Sequence, residues 1–145
     1  MNAVPGNGIL PPAVYVLVVD DELRLADNIV RYLLRHGYHA RAVHSALAAH
    51  QAIAERAPDL ALIDLNLPDA HGADLCRQIF QQLPGLPALL ISAAPDANSI
   101  GTLRQSGVRG FLAKPFSLAT LLGRIEDILT DGRTSSALDP VMPRR

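Results

Sequence analysis

The sequence contains one cysteine and no tryptophan, and aromatic residues make up only 4% of its 145 residues. A lone cysteine, Cys76, cannot form a disulfide within the chain. We therefore expect a fold that rests on its hydrophobic core, in the reducing cytoplasm. The five histidines show no metal-ligand spacing, and without further cysteines no zinc site is expected. The length suits one domain with a full core.

The sequence also lacks long apolar runs and a strong charge of either sign. No run approaches the roughly 20 residues that cross a bilayer, and the N-terminus lacks the charged start and apolar centre of a secretory signal. The formal net charge of −1 at pH 7 gives no bulk attraction to nucleic acid or anionic lipid. We therefore expect neither a membrane nor a nucleic acid as a direct partner.

What the sequence does have is a set of short apolar runs that end in polar residues. The runs and the residues that follow them are Val14–Val19 with Asp20 and Asp21, Leu60–Ile63 with Asp64, Ala88–Ile91 with Ser92, and Gly110–Ala113 with Lys114. Such runs are typical of strands buried on both faces of a parallel sheet. Because parallel strands end at one edge, these polar residues should meet there. A cleft with carboxylates, a hydroxyl and an ammonium group suits a divalent cation and a phosphoryl group.

Helical patterns lie between the apolar runs. The predicted helices are about 23–34, capped by Asp20 or Asp21 and ended by Gly37; about 46–56, capped by Ser45; about 72–82; about 96–105; and about 118–129, capped by Ser117. A weaker strand, His39–Val43, is predicted at a sheet edge. The strict alternation predicts an α/β fold with a doubly wound, five-stranded parallel sheet and helices on both faces. With strand order 2-1-3-4-5, the ligand crevice falls between the first and third strands.

Composition divides the chain into three segments. We expect a flexible lead-in over residues 1–12, which are rich in glycine and proline, and a folded domain over residues 13–130. Residues 131–145 are polar and are expected to form a disordered tail, too short for an output domain.

Four stretches carry a resemblance to a known family. They are Val18–Glu22 (VVDDE), Leu62–Asp69 (LIDLNLPD) with Gly72, Ile91–Ala93 (ISA) and Lys114–Phe116 (KPF). In this order and at these strand ends they resemble the receiver domain of bacterial two-component response regulators, from about Val14 to Leu129. The resemblance implies the flavodoxin-like receiver fold. It also implies a phosphorylated signalling module rather than an enzyme acting on a separate substrate.

The resemblance implies a role for each polar residue of the cleft. Asp64 would be the phosphoacceptor, and Ser92 and Lys114 would contact the phosphoryl group. The implied ligands of Mg²⁺, for which Mn²⁺ is a compatible substitute, are Asp20, Asp21, Asp64 and the backbone carbonyl of Asn66. A sensor histidine kinase or a histidine phosphotransfer protein of a phosphorelay would supply the phosphoryl group.

The resemblance also implies how a signal would leave the site. Ser92 and Phe111 would form a switch, and Pro115 would follow a cis peptide bond. The fourth predicted helix, the last strand and the last helix would then present a changed face to a downstream protein target. A phosphorylation-dependent homodimer would use the same face.

Three alternatives stay open at this point. The chain could act alone, or it could be part of a longer regulator with an output domain. A magnesium-dependent phosphatase of the haloacid-dehalogenase type also uses an aspartate after a strand, but it needs a second aspartate where this chain has Asn66. A flavodoxin-like FMN carrier needs a phosphate loop rich in serine and threonine after Val19, where the acid pair would instead repel phosphate.

Overall fold

The computed structural model describes residues 13–93 and 108–131. In chain order its strands and helices are β1 (Tyr15–Val19), α1 (Leu23–Arg35), β2 (His39–Val43), α2 (Ala46–Glu55), β3 (Leu60–Asp64), α3 (Gly72–Gln82), β4 (Ala88–Ser92), β5 (Val108–Ala113) and α4 (Leu118–Asp131). The helix predicted over 96–105 and both predicted terminal segments lie outside the described residues. Among the described helices, none has the length and apolar character needed to span a bilayer.

The five strands form one parallel sheet in the order β2-β1-β3-β4-β5. The predicted strand order is therefore confirmed, and β2 lies at an edge as predicted. From β1 the chain passes to β2 on one side, and it then crosses over β1 to reach β3 on the other side. The strand order thus reverses between β1 and β3, where crevices form in sheets of this kind.

Helices cover both faces of the sheet because successive side chains of each buried strand point in opposite directions. On β1, Val16 and Val18 belong to the core cluster shared with α1 and α4. Leu17 and Val19 belong to the cluster shared with α2 and α3. Cys76 is buried in this second cluster as a free thiol, and burial raises its pKa to about 12. The doubly wound arrangement is confirmed.

The helix ends agree with the sequence except at the start of α1. Ser45 and Ser117 cap α2 and α4 as predicted, each accepting a hydrogen bond of 3.0 Å from the backbone N–H three residues later. Gly37 follows α1 with a φ of +90°. The prediction that Asp20 or Asp21 caps α1 is wrong, because the N-cap position is Glu22 and no side chain caps it.

Gly72 lets α3 begin directly against the end of β3. A Cβ atom at this position would lie 2.4 Å from the carbonyl oxygen of Asp64 and 2.5 Å from Leu65 Cα. The Gly72 N–H donates to the Leu65 carbonyl at 2.7 Å. The absence of a side chain here therefore determines how closely the helix approaches the residue at the end of the strand.

Gly72→Ala should lower the free energy of unfolding by about 1–3 kcal/mol, the usual effect of forcing extra atoms into a packed site. Gly123→Ala in α4 is the matched control, since its Cβ would meet nothing within 4 Å. Alanine should there raise stability by about 0.5–1 kcal/mol through helix propensity. Urea unfolding measures both changes. Equal effects of the same sign would contradict the close approach.

Candidate functional site

The polar residues that end the strands meet at the carboxyl edge of the sheet, as the sequence predicts. The parallel register places Val19 beside Ile63 and Ser92 beside Ala113, so the residues that follow β1 and β5 come to the same edge as Asp64. They border an open cleft of about 680 Å³. The cleft is lined by Asp21, Glu22, Leu25, Asp64, Asn66, Ala93, Lys114, Pro115 and Phe116.

Three carboxylates converge on one point of this cleft. Asp20, Asp21 and Asp64 each offer an oxygen, and these oxygens lie within 4.8 Å of one another. Asp20 is 0% exposed and Asp64 3% exposed, whereas Asp21 faces solvent. Two like charges about 4 Å apart at an effective dielectric of ~20 repel by about 4 kcal/mol. The cluster therefore needs positive charge nearby.

Asp20 has one oxygen that is bonded and one that is not. Its Oδ1 accepts a hydrogen bond of 2.9 Å from the Glu22 N–H. Its buried Oδ2 has no aligned hydrogen-bond donor among the described residues, although Lys114 Nζ lies 3.1 Å away as an ion pair. Burial, reinforced by the charge of Asp64, raises the pKa of Asp20 above its ordinary value. A buried carboxylate oxygen that lacks an aligned donor and belongs to an acidic cluster is a fitting cation ligand.

Lys114 supplies positive charge to the cluster. Its Nζ lies 3.1 Å from Asp20 Oδ2, 3.3 Å from Asp64 Oδ2 and 2.6 Å from Glu22 Oε1. Burial alone would lower the pKa of Lys114, but the hydrogen bond to Glu22 and the two buried carboxylates outweigh it and raise that pKa. The lysine is thus held charged. The peptide bond that follows it, to Pro115, is cis as predicted.

Glu22 is a member of the site that the sequence analysis missed. It stands in the VVDDE stretch, and the structure pairs it with Lys114, which is 92 residues further along the chain. The signal in the sequence is a third acid directly after the acid pair. Nothing in its spacing indicates whether that acid faces the cleft or solvent.

The donor atoms fit a hard divalent cation. Three carboxylates converge, and the Asn66 N–H donates to Asp64 Oδ1 at 3.0 Å. This bond ties the start of the next loop to the acid cluster. Mg²⁺ and Mn²⁺ favour such oxygen ligands and retain several waters where the protein supplies few.

Ser92 and Phe111 lie on the same face of the sheet. Ser92 is buried at the end of β4, and its carbonyl accepts a hydrogen bond of 2.9 Å from the Lys114 N–H. Phe111 is half-buried opposite Leu90 on β5 and packs against the core cluster of α2 and α3. Because Leu90 and Ser92 are two residues apart on one strand, Phe111 is a diagonal neighbour of Ser92.

Comparison with known proteins identifies the family. The family model described as the response regulator receiver domain matches residues 16–126. The chain belongs to this family. Membership decides against the phosphatase and the FMN carrier considered above.

Curated relatives of this receiver are longer proteins. The chain is 34% identical over 116 residues to the transcriptional regulatory protein GltR of Pseudomonas aeruginosa, covering 79% of this chain and 48% of that protein. It is 29% identical over 127 residues to the transcriptional regulatory protein CreB of Escherichia coli, covering 88% of this chain and 56% of that protein. The chain thus spans about half the length of these relatives.

Solved receiver structures have the same fold. The receiver domain of NtrX from Brucella abortus is 32% identical, with a TM-score of 0.74 over 79% of this chain and 98% of that one. A CheY-like receiver domain protein from Methanospirillum hungatei superposes with a TM-score of 0.81 over 86% of this chain and 99% of that one. At 22% identity the second likeness bears on the fold alone.

Asp20→Asn should raise the free energy of unfolding at neutral pH in the absence of divalent cations. Because the pKa of Asp20 is raised by folding, the folded protein keeps a proton on Asp20 at pH values above 3.8, where the unfolded chain loses it. Ionised Asp20 therefore lowers the free energy of unfolding as the pH rises from about 3.8 through the raised pKa, and asparagine has no such effect. Urea unfolding in EDTA should show the gain at neutral pH and its decline as pH falls towards about 4.

The matched control for this substitution is Asp27→Asn, which removes an exposed acid of α1 that pairs with Arg31 at 3.1 Å. It should change stability by less than about 1 kcal/mol, since exposed ion pairs contribute little. A loss of stability on Asp20→Asn at neutral pH would contradict the stated balance of charge and burial.

Proposed function

We propose that this receiver accepts a phosphoryl group on Asp64. An oxygen of its carboxylate attacks the phosphorus of a phosphohistidine on a sensor kinase or phosphotransfer protein, or of a small acyl phosphate. The bond from phosphorus to the donor breaks, and an aspartyl phosphate forms. The observation that carries this proposal is the buried Asp64 carboxylate beside an acid pair and a charged lysine.

The structure supports this role by the way it orients Asp64. The Asn66 N–H donates to Oδ1 at 3.0 Å, and Lys114 Nζ lies 3.3 Å from Oδ2. Both contacts fix the orientation of this carboxylate, which lines the cleft. Orientation of a nucleophile in this way removes much of the entropic cost of the reaction.

The proposed metal ligands are Asp20, Asp21, Asp64 and the backbone carbonyl of Asn66, with Mg²⁺ as the cation and Mn²⁺ as a compatible substitute. When bound, the cation would neutralise the acids and the charge that develops on the phosphoryl oxygens. The support is the convergence of the three carboxylates and the buried Oδ2 of Asp20, which has no aligned hydrogen-bond donor among the described residues.

Lys114 and Ser92 would bind the oxygens of the phosphoryl group. A phosphoryl group brings about −1.5 to −2 charges at neutral pH, and Lys114 would pair with its oxygens instead of sharing its charge among the carboxylates. The Ser92 hydroxyl would donate a hydrogen bond to the same oxygens. Water held by the site would later hydrolyse the aspartyl phosphate and restore Asp64.

The conformational change caused by phosphorylation would be transmitted through β5. Movement of Ser92 would open space for the half-buried Phe111 on the same face of the sheet. The Phe111 carbonyl accepts a hydrogen bond of 2.8 Å from Arg124 Nη1, which links β5 to α4. A downstream protein, or a second copy of the receiver after phosphorylation, would bind a face that includes β5 and α4.

The proposal also covers the bounds of the domain, its location in the cell and the kind of molecule that it contacts. We place the receiver at residues 13–130, in the cytoplasm, where a free buried thiol such as that of Cys76 stays reduced. Relatives such as GltR and CreB are named as transcriptional regulators, and this chain covers about half of them. With a formal net charge of −1, the direct contacts of this domain would be with proteins rather than nucleic acid.

Incubation with acetyl phosphate and Mg²⁺ should add one phosphoryl group to the wild-type protein, as measured by intact mass. The adduct should be absent in EDTA, since the carboxylates would then repel the donor. It should also be absent in Asp64→Ala, which lacks the nucleophile. Asp27→Ala, at an exposed position on α1, should be phosphorylated like the wild type. An adduct that persists in Asp64→Ala would show that the acceptor is misassigned.

A further inference from the structure

The loop that follows Asp64 is attached to a different helix by a side chain with no role in the proposed chemistry. Asp69 Oδ1 accepts a hydrogen bond of 2.8 Å from the Ala46 N–H. Its Oδ2 accepts one of 3.1 Å from the Leu47 N–H. Both N–H groups belong to the first turn of α2 and lie more than 20 residues earlier in the chain.

These bonds complete the N-terminus of α2. The first turn of a helix has N–H groups without partners inside the helix. The Ser45 hydroxyl accepts from the Ala48 N–H, whereas the Asp69 carboxylate accepts from the N–H groups of Ala46 and Leu47. The two N–H bonds lower the pKa of Asp69, so the residue stays charged where the helix dipole favours an anion. Two side chains thus cap one helix, and only Asp69 belongs to the loop after β3.

The same loop carries part of the proposed cation site. The Asn66 N–H bonds to Asp64, and the backbone of Asn66 pairs with that of His71 across the loop. At its far end the Gly72 N–H donates to the Leu65 carbonyl at 2.7 Å. The loop therefore closes on itself between β3 and α3, and Asp69 anchors its outer side to α2.

We propose that Asp69 is a positioning residue that holds residues 65–71 against α2 and thereby keeps Asn66 and Asp64 in the geometry that takes a cation. Cation binding and the order of the α2 N-terminus are then coupled, and the coupling acts in both directions. The inference rests on the proposed function, because the cation site is the one assigned there.

Mg²⁺ binding is sensitive to the position of each ligand. It requires nearly octahedral ligand geometry at about 2.0–2.1 Å and tolerates little displacement of an oxygen ligand. Asp69 itself is exposed, so a loop without its bonds is free to move outward into solvent. The proposed carbonyl ligand of Asn66 would move with it.

The test compares Asp69→Ala with Ser45→Ala by isothermal titration with MgCl₂. Each variant removes a cap from the same helix, and each should lower the Tm by a similar amount, on the order of 5 °C. Asp69→Ala should weaken Mg²⁺ binding by about tenfold, in the range seen for residues that support metal ligands. Ser45→Ala should bind Mg²⁺ like the wild type. Asp69→Asn, which keeps one acceptor oxygen, should recover part of the affinity.

Hydrogen exchange supplies a readout that a purely structural cap would not change. Adding Mg²⁺ to the wild type should slow exchange of the Ala46 and Leu47 amides, which lie outside the cation site. The same addition should leave these amides unchanged in Asp69→Ala at a temperature where that variant is folded. Ser45→Ala should retain the protection.

The outcomes separate this proposal from the proposed function. Equal Mg²⁺ affinity of Asp69→Ala and Ser45→Ala would overturn the positioning role and leave the phosphoacceptor role standing. Protection of Ala46 by Mg²⁺ in a wild type that takes no phosphoryl group would support the coupling and overturn the phosphoacceptor role. A wild type that binds no Mg²⁺ would overturn both.

Discussion

The charges at the carboxyl edge of the sheet depend on one another. Asp20 follows β1 and Asp64 ends the neighbouring strand β3, and Lys114 Nζ lies 3.1 Å from Asp20 and 3.3 Å from Asp64. In surroundings with an effective dielectric of ~20, each such pair is worth on the order of 4 kcal/mol before the cost of burial. The lysine offsets the repulsion between the two buried acids, and the acids offset the cost of burying the lysine. Parallel strands in this order are what bring the three groups together.

The segments around this cluster are built to hold the end of β3 in place. Gly72 allows α3 to start against the Asp64 carbonyl, where a Cβ would come within 2.4 Å. Asn66 and Asp69 bind the loop to the site on one side and to α2 on the other. The position of the Asp64 carboxylate is therefore determined by contacts with several elements, as a precise site requires.

The electrostatic balance explains how a small local event could have a distant effect. Lys114 divides its charge among Asp20, Asp64 and Glu22. In the proposed function a phosphoryl group enters this balance with more negative charge than any one of these acids, and it draws the lysine and the nearby hydroxyl towards itself. Ser92 and Phe111 lie diagonally on adjacent strands, so in the proposed function a shift of Ser92 would change the space available to Phe111.

Much of this architecture follows from the sequence, because strands buried on both faces appear as continuous apolar runs and parallel strands share a carboxyl edge. Those two facts place Asp20, Asp64 and Lys114 at one edge of a parallel sheet, and the strand order brings them together there. Only the tertiary structure decided which partners the side chains take. Glu22 accepts a hydrogen bond from a lysine 92 residues away, and Asp69 accepts one from a helix residue 23 positions earlier in the chain. Asp20, which the sequence analysis offered as a cap of α1, accepts from the Glu22 N–H instead. Local patterns report burial and periodicity, whereas a long-range hydrogen bond depends on distances that exist only after every element has packed.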